Sequence, residues 1–225
     1  MTSATSIRWL ASLLAASLGL VLALPAGAQT GLARKTAHVD LQARLKEVAQ
    51  DPQLSASIVK TGRQVASFCA HCHGEGGNSL TSEVPNLAGQ NPDYLIEQLR
   101  QFADGRRRNE FMEGMMKALS SDEKIGIVLF YAGEQVAHKP AANAALAARG
   151  RDYYNKVCFQ CHGQDGRGNE HFARIAGQQP QYLRTTLQHY QQGARLRVNP
   201  LMSGITKQMS EADIDAVVAY VSSMK

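Results

Sequence analysis

Cysteine, aromatic residues and long apolar runs are all scarce in this chain, and each scarcity excludes something. The 225 residues hold four cysteines, and all four fall in two copies of one five-residue pattern. No cysteine is left over for a wider disulfide framework. Aromatic residues make up 6% of the sequence, with a single tryptophan, so a well-filled core needs apolar mass from another source. Only one stretch is long and uncharged. Arg8 precedes an apolar run from Trp9 to Leu24, followed by Pro25 and Ala26-Gly27-Ala28. That run is shorter than the roughly 20 residues of a spanning helix, and its small-x-small ending has the form of a signal-peptidase site. The reading is a signal peptide over 1–28, cleaved after Ala28, with export to the periplasm; retention as an anchor is the alternative. No second run approaches that length, so the mature chain is expected to be soluble.

What is there begins with the cysteines. They form Cys69-Ala70-His71-Cys72-His73 and Cys158-Phe159-Gln160-Cys161-His162. The C-x-x-C-H spacing suits covalent attachment of a c-type haem. Two thiols about one helical turn apart each add to a haem vinyl group, and the adjacent histidine is held where its imidazole can bind the iron. Cys69, Cys72, Cys158 and Cys161 are therefore the expected thioether residues, with His73 and His162 as axial ligands. The competing fates are a disulfide within each pair, a redox dithiol or part of a zinc site. Two copies with no cysteine to spare leave those readings little room.

The formal net charge is +5, of which Arg8 supplies one, leaving +4 on the mature chain. Two haems bring four propionates, which roughly cancel that excess. The basic balance is thus weak grounds for an acidic partner, and no nucleic acid is expected. Arg106-Arg107-Arg108, Arg195 and Arg197 read as solvated loops or as partners of propionates before they read as a docking site.

The chain repeats itself at a period of about 89 residues. Leu87-Ala88-Gly89-Gln90 matches Ile175-Ala176-Gly177-Gln178, and Pro92 with Tyr94-Leu95 matches Pro180 with Tyr182-Leu183. Ile125, Val128, Leu129 and Ala132 correspond to Ile214, Val217, Val218 and Val221, an i, i+3, i+4, i+7 stripe. Both stripes follow a capping-box pattern, Ser120-x-x-Glu123 and Ser210-x-x-Asp213. Each unit reads as helix, haem-binding turn, glycine-rich loop, helix, methionine loop and helix. The fold class is all-α, two tandem units each wrapped around one haem: 57–136 and 144–225, joined by a linker over 137–143. The motif helices are expected from about Ser57 to His71 and from about Ala144 to Cys161. Residues 29–56 form an N-terminal extension, in which Leu41, Leu45 and Val48 suggest a short helix. About 85 residues is marginal for a self-sufficient core, so the porphyrin is expected to be structural as well.

The sixth ligand decides the chemistry. Methionine paired with histidine is the usual pair for electron transfer. The first unit offers Met112, Met115 and Met116. Aligning Leu119-Ser120 on Met209-Ser210 places Met112 on Met202, Met115 on Ile205 and Met116 on Thr206. Met112 and Met202 are the expected iron ligands, and Met115, Met116 and Met209 are expected to pack in cores. Histidine is the rival, but His38, His71, His138, His171 and His189 have no histidine counterpart in the other unit. A histidine ligand usually donates its second ring N–H to a fixed acceptor. The carbonyls of Pro85 and Ala173 are the candidates, and their difference suggests that the two haems are electronically unequal.

These features resemble the dihaem cytochromes of the cytochrome c4 family. The resemblance rests on the tandem motifs, on Pro-x-Leu-Ala-Gly-Gln at 85–90 and on Met-x-x-Met-x-x-x-Leu-Ser at 112–120, and covers residues 57–225. It implies a small class I cytochrome c fold in each unit, with the two haem c groups near the domain interface exchanging electrons. It also implies a periplasmic carrier between a donor, such as a quinol-oxidising complex or dehydrogenase, and an acceptor, such as a terminal oxidase. Membrane association would then come through those partners. Ala173 stands where the family pattern has proline, Met209 where it has leucine, and the N-terminal extension is longer than the family leads one to expect. The reading is a carrier without substrate chemistry. The alternatives are an electron-transfer subunit of a periplasmic dehydrogenase, or a small haem oxidoreductase with one labile sixth ligand.

Overall fold

Two aspartates set the first two helices. Asp40 accepts from the Gln42 N–H and opens α1 (Leu41–Gln50). Asp51 accepts from the Gln53 and Leu54 N–H groups, with Pro52 in the first turn, and opens α2 (Pro52–His73). Proline suits that position because its missing N–H would be unpaired there anyway. The computed structural model describes residues 40–193 and 196–225. The expected signal peptide and its cleavage site, the extension as far as residue 39, His38 and Arg195 lie outside the described residues.

The helix carrying the first motif thus starts five residues before the expected Ser57, and the expected boundary at 57 falls inside it. Helix α1 forms where Leu41, Leu45 and Val48 place it, and those three side chains are buried in the core of the first half. Arg44 ties α1 to Asp122 through Nε at 2.8 Å. A 3-10 turn at Glu75–Gly77 and three more α-helices complete this half: α3 (Pro92–Asp104), α4 (Glu110–Ala118) and α5 (Ser121–Gly133). The second half holds α6 (Ala144–Tyr154), α7 (Phe159–His162), α8 (Pro180–Gln192), α9 (Pro200–Thr206) and α10 (Glu211–Val221). Helix α2 packs on α5 as α6 packs on α10. Both capping boxes are formed, at Ser120 with Glu123 and at Ser210 with Asp213.

The copies differ at the motif helix. In the first half it is continuous, but in the second it breaks between α6 and α7. Asn155 ends α6, and the Lys156 N–H bonds the Tyr153 carbonyl, an i→i−3 bond that tightens the chain into turns. The fully buried Tyr154 braces the break by donating its hydroxyl to the Gly163 carbonyl at 2.6 Å. The methionine segments, expected as loops, are the helices α4 and α9. No β-strand occurs among the described residues; one isolated antiparallel bridge pairs Arg107 with Arg197. None of the described helices is long and apolar enough to cross a membrane.

The segment between the halves is held at its start. Asn78 accepts from the Ala137 N–H at 2.7 Å and donates to the Gln135 carbonyl at 2.8 Å. His138 Nδ1–H donates to the Met224 carbonyl at 2.9 Å.

Candidate functional site

Helix α2 ends on the first motif and presents Cys69, Cys72 and His73; Cys158 precedes α7, which carries Cys161 and His162. Glycine follows each histidine because the chain turns there with positive φ, 74° at Gly74 and 77° at Gly163. A Cβ on Gly74 would lie 1.9 Å from the Asn78 carbonyl oxygen. His73 Nδ1 lies 2.9 Å from the Pro85 carbonyl oxygen, and His162 Nδ1 lies 2.9 Å from that of Ala173. A carbonyl can only accept, so Nδ1 carries the proton in both rings and Nε2 keeps its lone pair. Burial lowers the pKa of both imidazoles, outweighing the bonds to the carbonyls that raise it. Both are neutral at physiological pH, the state that binds a metal.

All four cysteines are unpaired. Burial pushes the Cys69 thiol up and the Cys158 thiol up to about 11. Reactive or zinc-binding thiols have the opposite shift. Among the described residues no three His, Cys, Asp or Glu side chains gather into a group able to hold a metal ion.

Met112 and Met202 occupy the same place in their halves. Each is the third residue of a short helix, and each gives its N–H to an asparagine at the helix start: Asn109 at 3.0 Å and Asn199 at 3.1 Å. Met116 and Met209 are buried in their cores, and Met115 packs against the first core. Of the other histidines, His71 is exposed and turns Nδ1 back onto the Phe68 carbonyl, while His138 serves the linker.

One continuous cavity of about 780 Å³ takes in both motifs together with Met112 and Met202. Its volume falls in the range of cofactor sites. Phe68, Phe111 and Leu201 line it while 54%, 59% and 66% exposed, an apolar rim that a flat apolar group would cover. Positive charge in the cavity lacks its complement. Arg197 is buried and bonds only the hydroxyls of Tyr94 and Tyr182 and the amide oxygen of Gln98. Arg107 shares Tyr182 and Gln98. Neither arginine pairs with a carboxylate among the described residues. Burial alone would raise the Tyr182 phenol, yet Arg107 and Arg197 draw it below its ordinary value. Arg174 Nε, also on the cavity wall, is buried with no partner. Thiols, imidazoles, thioethers, an apolar rim and unbalanced cations together fit haem with its propionates. The basic triplet is divided accordingly: Arg106 pairs with Asp104 and Arg108 with Glu113, while Arg107 turns inward.

A set of amides that sequence reasoning left without a role joins the halves. Gln178 Oε1 accepts from the Asn86 N–H at 2.7 Å, and its Nε2 donates to the Asn86 carbonyl at 3.0 Å. Gln90 repeats the pattern on Arg174, at 2.8 Å for both bonds. Asn91 and Gln179 begin α3 and α8 without capping them. Their side chains cross to the other half instead, Asn91 to the Phe172 carbonyl at 2.8 Å and Gln179 to the Ser79 carbonyl at 2.5 Å. The available signal was the glutamine repeated in the Leu-Ala-Gly-Gln and Ile-Ala-Gly-Gln segments.

Comparison with known proteins places each half separately. The family described as "Cytochrome c" matches residues 147–225, and that described as "Cytochrome C oxidase, cbb3-type, subunit III" matches residues 58–130. A cytochrome c4 from Thiocapsa roseopersicina is 33% identical over 168 residues, spanning 69% of this chain and 86% of the relative. A protein named "Thiosulfate dehydrogenase electron acceptor", from Thiomonas intermedia (strain K12), is 33% identical over 171 residues, 70% of this chain and 78% of the relative. The crystal structure of reduced recombinant cytochrome c4 from Pseudomonas stutzeri superposes with a TM-score of 0.69 at 27% identity, covering 74% of this chain and 98% of that one.

Proposed function

The chain belongs to the cytochrome c4 family of dihaem electron-transfer cytochromes, and from that membership we propose that it acts in the periplasm as a single-electron carrier between respiratory redox proteins, each iron held between a histidine and a methionine. Its cofactors are two haem c groups, one per half. When bound, each haem supplies an iron that takes up and returns one electron.

The protein's own residues hold and orient. Cys69 with Cys72, and Cys158 with Cys161, would fix each porphyrin through thioethers. His73 and His162 offer Nε2 with their ring planes set by the bonds to Pro85 and Ala173. Met112 and Met202 would supply the second protein ligand to each iron, which would leave no position free for oxygen or peroxide. A thioether opposite histidine also raises the reduction potential. One observation carries this reading: each half brings a carbonyl-bound histidine and an asparagine-anchored methionine to a single shared cavity. The shared cavity also supports electron exchange between the halves. The signal-like N-terminus supports export, and a quinol-oxidising complex or dehydrogenase as donor with a terminal oxidase as acceptor fits such a carrier.

A second reading, acceptor or subunit of a periplasmic dehydrogenase, is favoured by the name of the Thiomonas relative. It uses the same haem chemistry and differs in being tied to one dehydrogenase rather than exchanging among respiratory partners. Co-purification with a dehydrogenase, and reduction by it faster than by a quinol-oxidising complex, would select that reading.

The testing experiment is optical. Two covalent haems per chain in a pyridine haemochrome assay, a ferric methionine–iron charge-transfer band and no carbon monoxide binding by the native ferrous protein are expected. Full carbon monoxide binding at either haem refutes a closed carrier.

A further inference from the structure

Each axial histidine is bound to a peptide group that the opposite half grips from its other end. The Pro85 carbonyl and the Asn86 N–H belong to one conjugated peptide unit. His73 donates to its oxygen at 2.9 Å, and its N–H donates to Gln178 Oε1 at 2.7 Å. In the second half His162 donates to the Ala173 oxygen at 2.9 Å, and the Arg174 N–H of the same unit donates to Gln90 Oε1 at 2.8 Å. Asn86, Gln90 and Gln178 are all buried, so water does not substitute for these bonds. The amide orientations are fixed as well. Gln178 Oε1 faces two N–H donors, those of Asn86 and Gln179, while Nε2 faces the Asn86 carbonyl. Gln90 has the same arrangement with Arg174 and Asn91.

We propose that Gln178 and Gln90 are positioning residues, each tuning the haem of the opposite half through the peptide unit that its axial histidine is bonded to. Hydrogen bonds in a chain polarise one another. A bond accepted by glutamine at the N–H end makes the carbonyl end a stronger acceptor. The histidine Nδ1–H then gives up more of its proton, the ring becomes a better donor to iron, and the ferric state is favoured. Each glutamine therefore lowers the potential of the haem across the interface. Its own haem does not sit on that path.

This rests on His73 and His162 as iron ligands, which the optical spectrum of the unaltered protein tests first. Failure there removes the ligation and is seen before any variant is made. The variants are studied in the whole dihaem protein, with potentials from redox titration assigned to each half by the haem-methyl NMR signals. Gln178→Leu is expected to raise the potential of the first-half haem and leave the second unchanged; Gln90→Leu is expected to do the reverse. In the reduced protein the His73 Nδ1–H resonance should move upfield in Gln178→Leu while that of His162 stays. Gln179→Leu and Asn91→Leu remove interface bonds without touching either peptide N–H, and should shift neither haem selectively. Gln178→Glu keeps the acceptor and strengthens it, so the first-half potential should fall; this variant carries the test if leucine prevents folding. A shift confined to the glutamine's own half, equal shifts in both, no shift, or a selective shift in the controls overturns the proposal.

Discussion

Gly62 on α2 and Gly126 on α5 meet backbone to backbone: a Cβ on Gly62 would lie 2.0 Å from the Gly126 carbonyl carbon. The second half repeats the crossing with Gly150, whose Cβ would lie 1.9 Å from the Ala216 carbonyl oxygen. These contacts set how closely the last helix of each half approaches the helix leading to the motif. Gly62→Val should overpack the first half and Gly150→Val the second, each costing about 1–3 kcal/mol or more. Denaturant unfolding followed through the absorbance of each haem would assign the loss to the half concerned.

Met112→Ala and Met202→Ala should each open one iron. One carbon monoxide per chain is expected for either variant and two for the double variant, whereas Met115→Ala should bind none. Unchanged spectra in Met112→Ala would refute that ligand.

The capping boxes give an acid limb to stability. Hydrogen bonds from Ser120 hold the Glu123 carboxyl below its ordinary pKa, and those from Ser210 do the same for Asp213. A depressed folded pKa contributes stability above the unfolded value, roughly 4, and loses it as pH falls through the folded value. Ser120→Ala and Ser210→Ala should each cost about 1 kcal/mol at neutral pH and lose less than the parent on acidification. Urea midpoints at neutral pH and near pH 3 would show it.

The helix before the repeat should be structural. Val48 is fully buried, so Val48→Ala is expected to cost about 2 kcal/mol, visible as a lower melting temperature of the first half. Arg44→Ala breaks only the partly exposed bridges to Asp122 and Glu47 and should cost below about 1 kcal/mol.

The tandem helical plan, the capping boxes and the carbonyls of Pro85 and Ala173 were legible because each rests on short-range pattern or on the alignment of two copies. The repeat also singled out Met112, and the matching bonds to Asn109 and Asn199 place it as the structural counterpart of Met202. The break at Asn155 was not legible, since it is braced by a Tyr154 hydroxyl meeting the Gly163 carbonyl, a contact that no periodicity in the sequence marks. The amides between the halves escaped for a similar reason. Gln90 and Gln178 look like ordinary polar loop residues until the partner backbone is in place. The Pro85 and Ala173 carbonyls accept at the same 2.9 Å, so any inequality between the haems has to arise beyond that bond length.

The reciprocal grip of Gln90 on Arg174 and Gln178 on Asn86 is the pattern of an isologous dimer, in which one patch meets its own copy around a two-fold axis. The chain can thus be seen as a dimer whose subunits share one polypeptide. A true homodimer must accept every substitution twice, on both sides of its axis at once. Fusion lifts that constraint: Gln98 and Thr186 stand at equivalent places, and only the first serves Arg107 and Arg197. The two sites are free to specialise while the contact that pairs them stays symmetric.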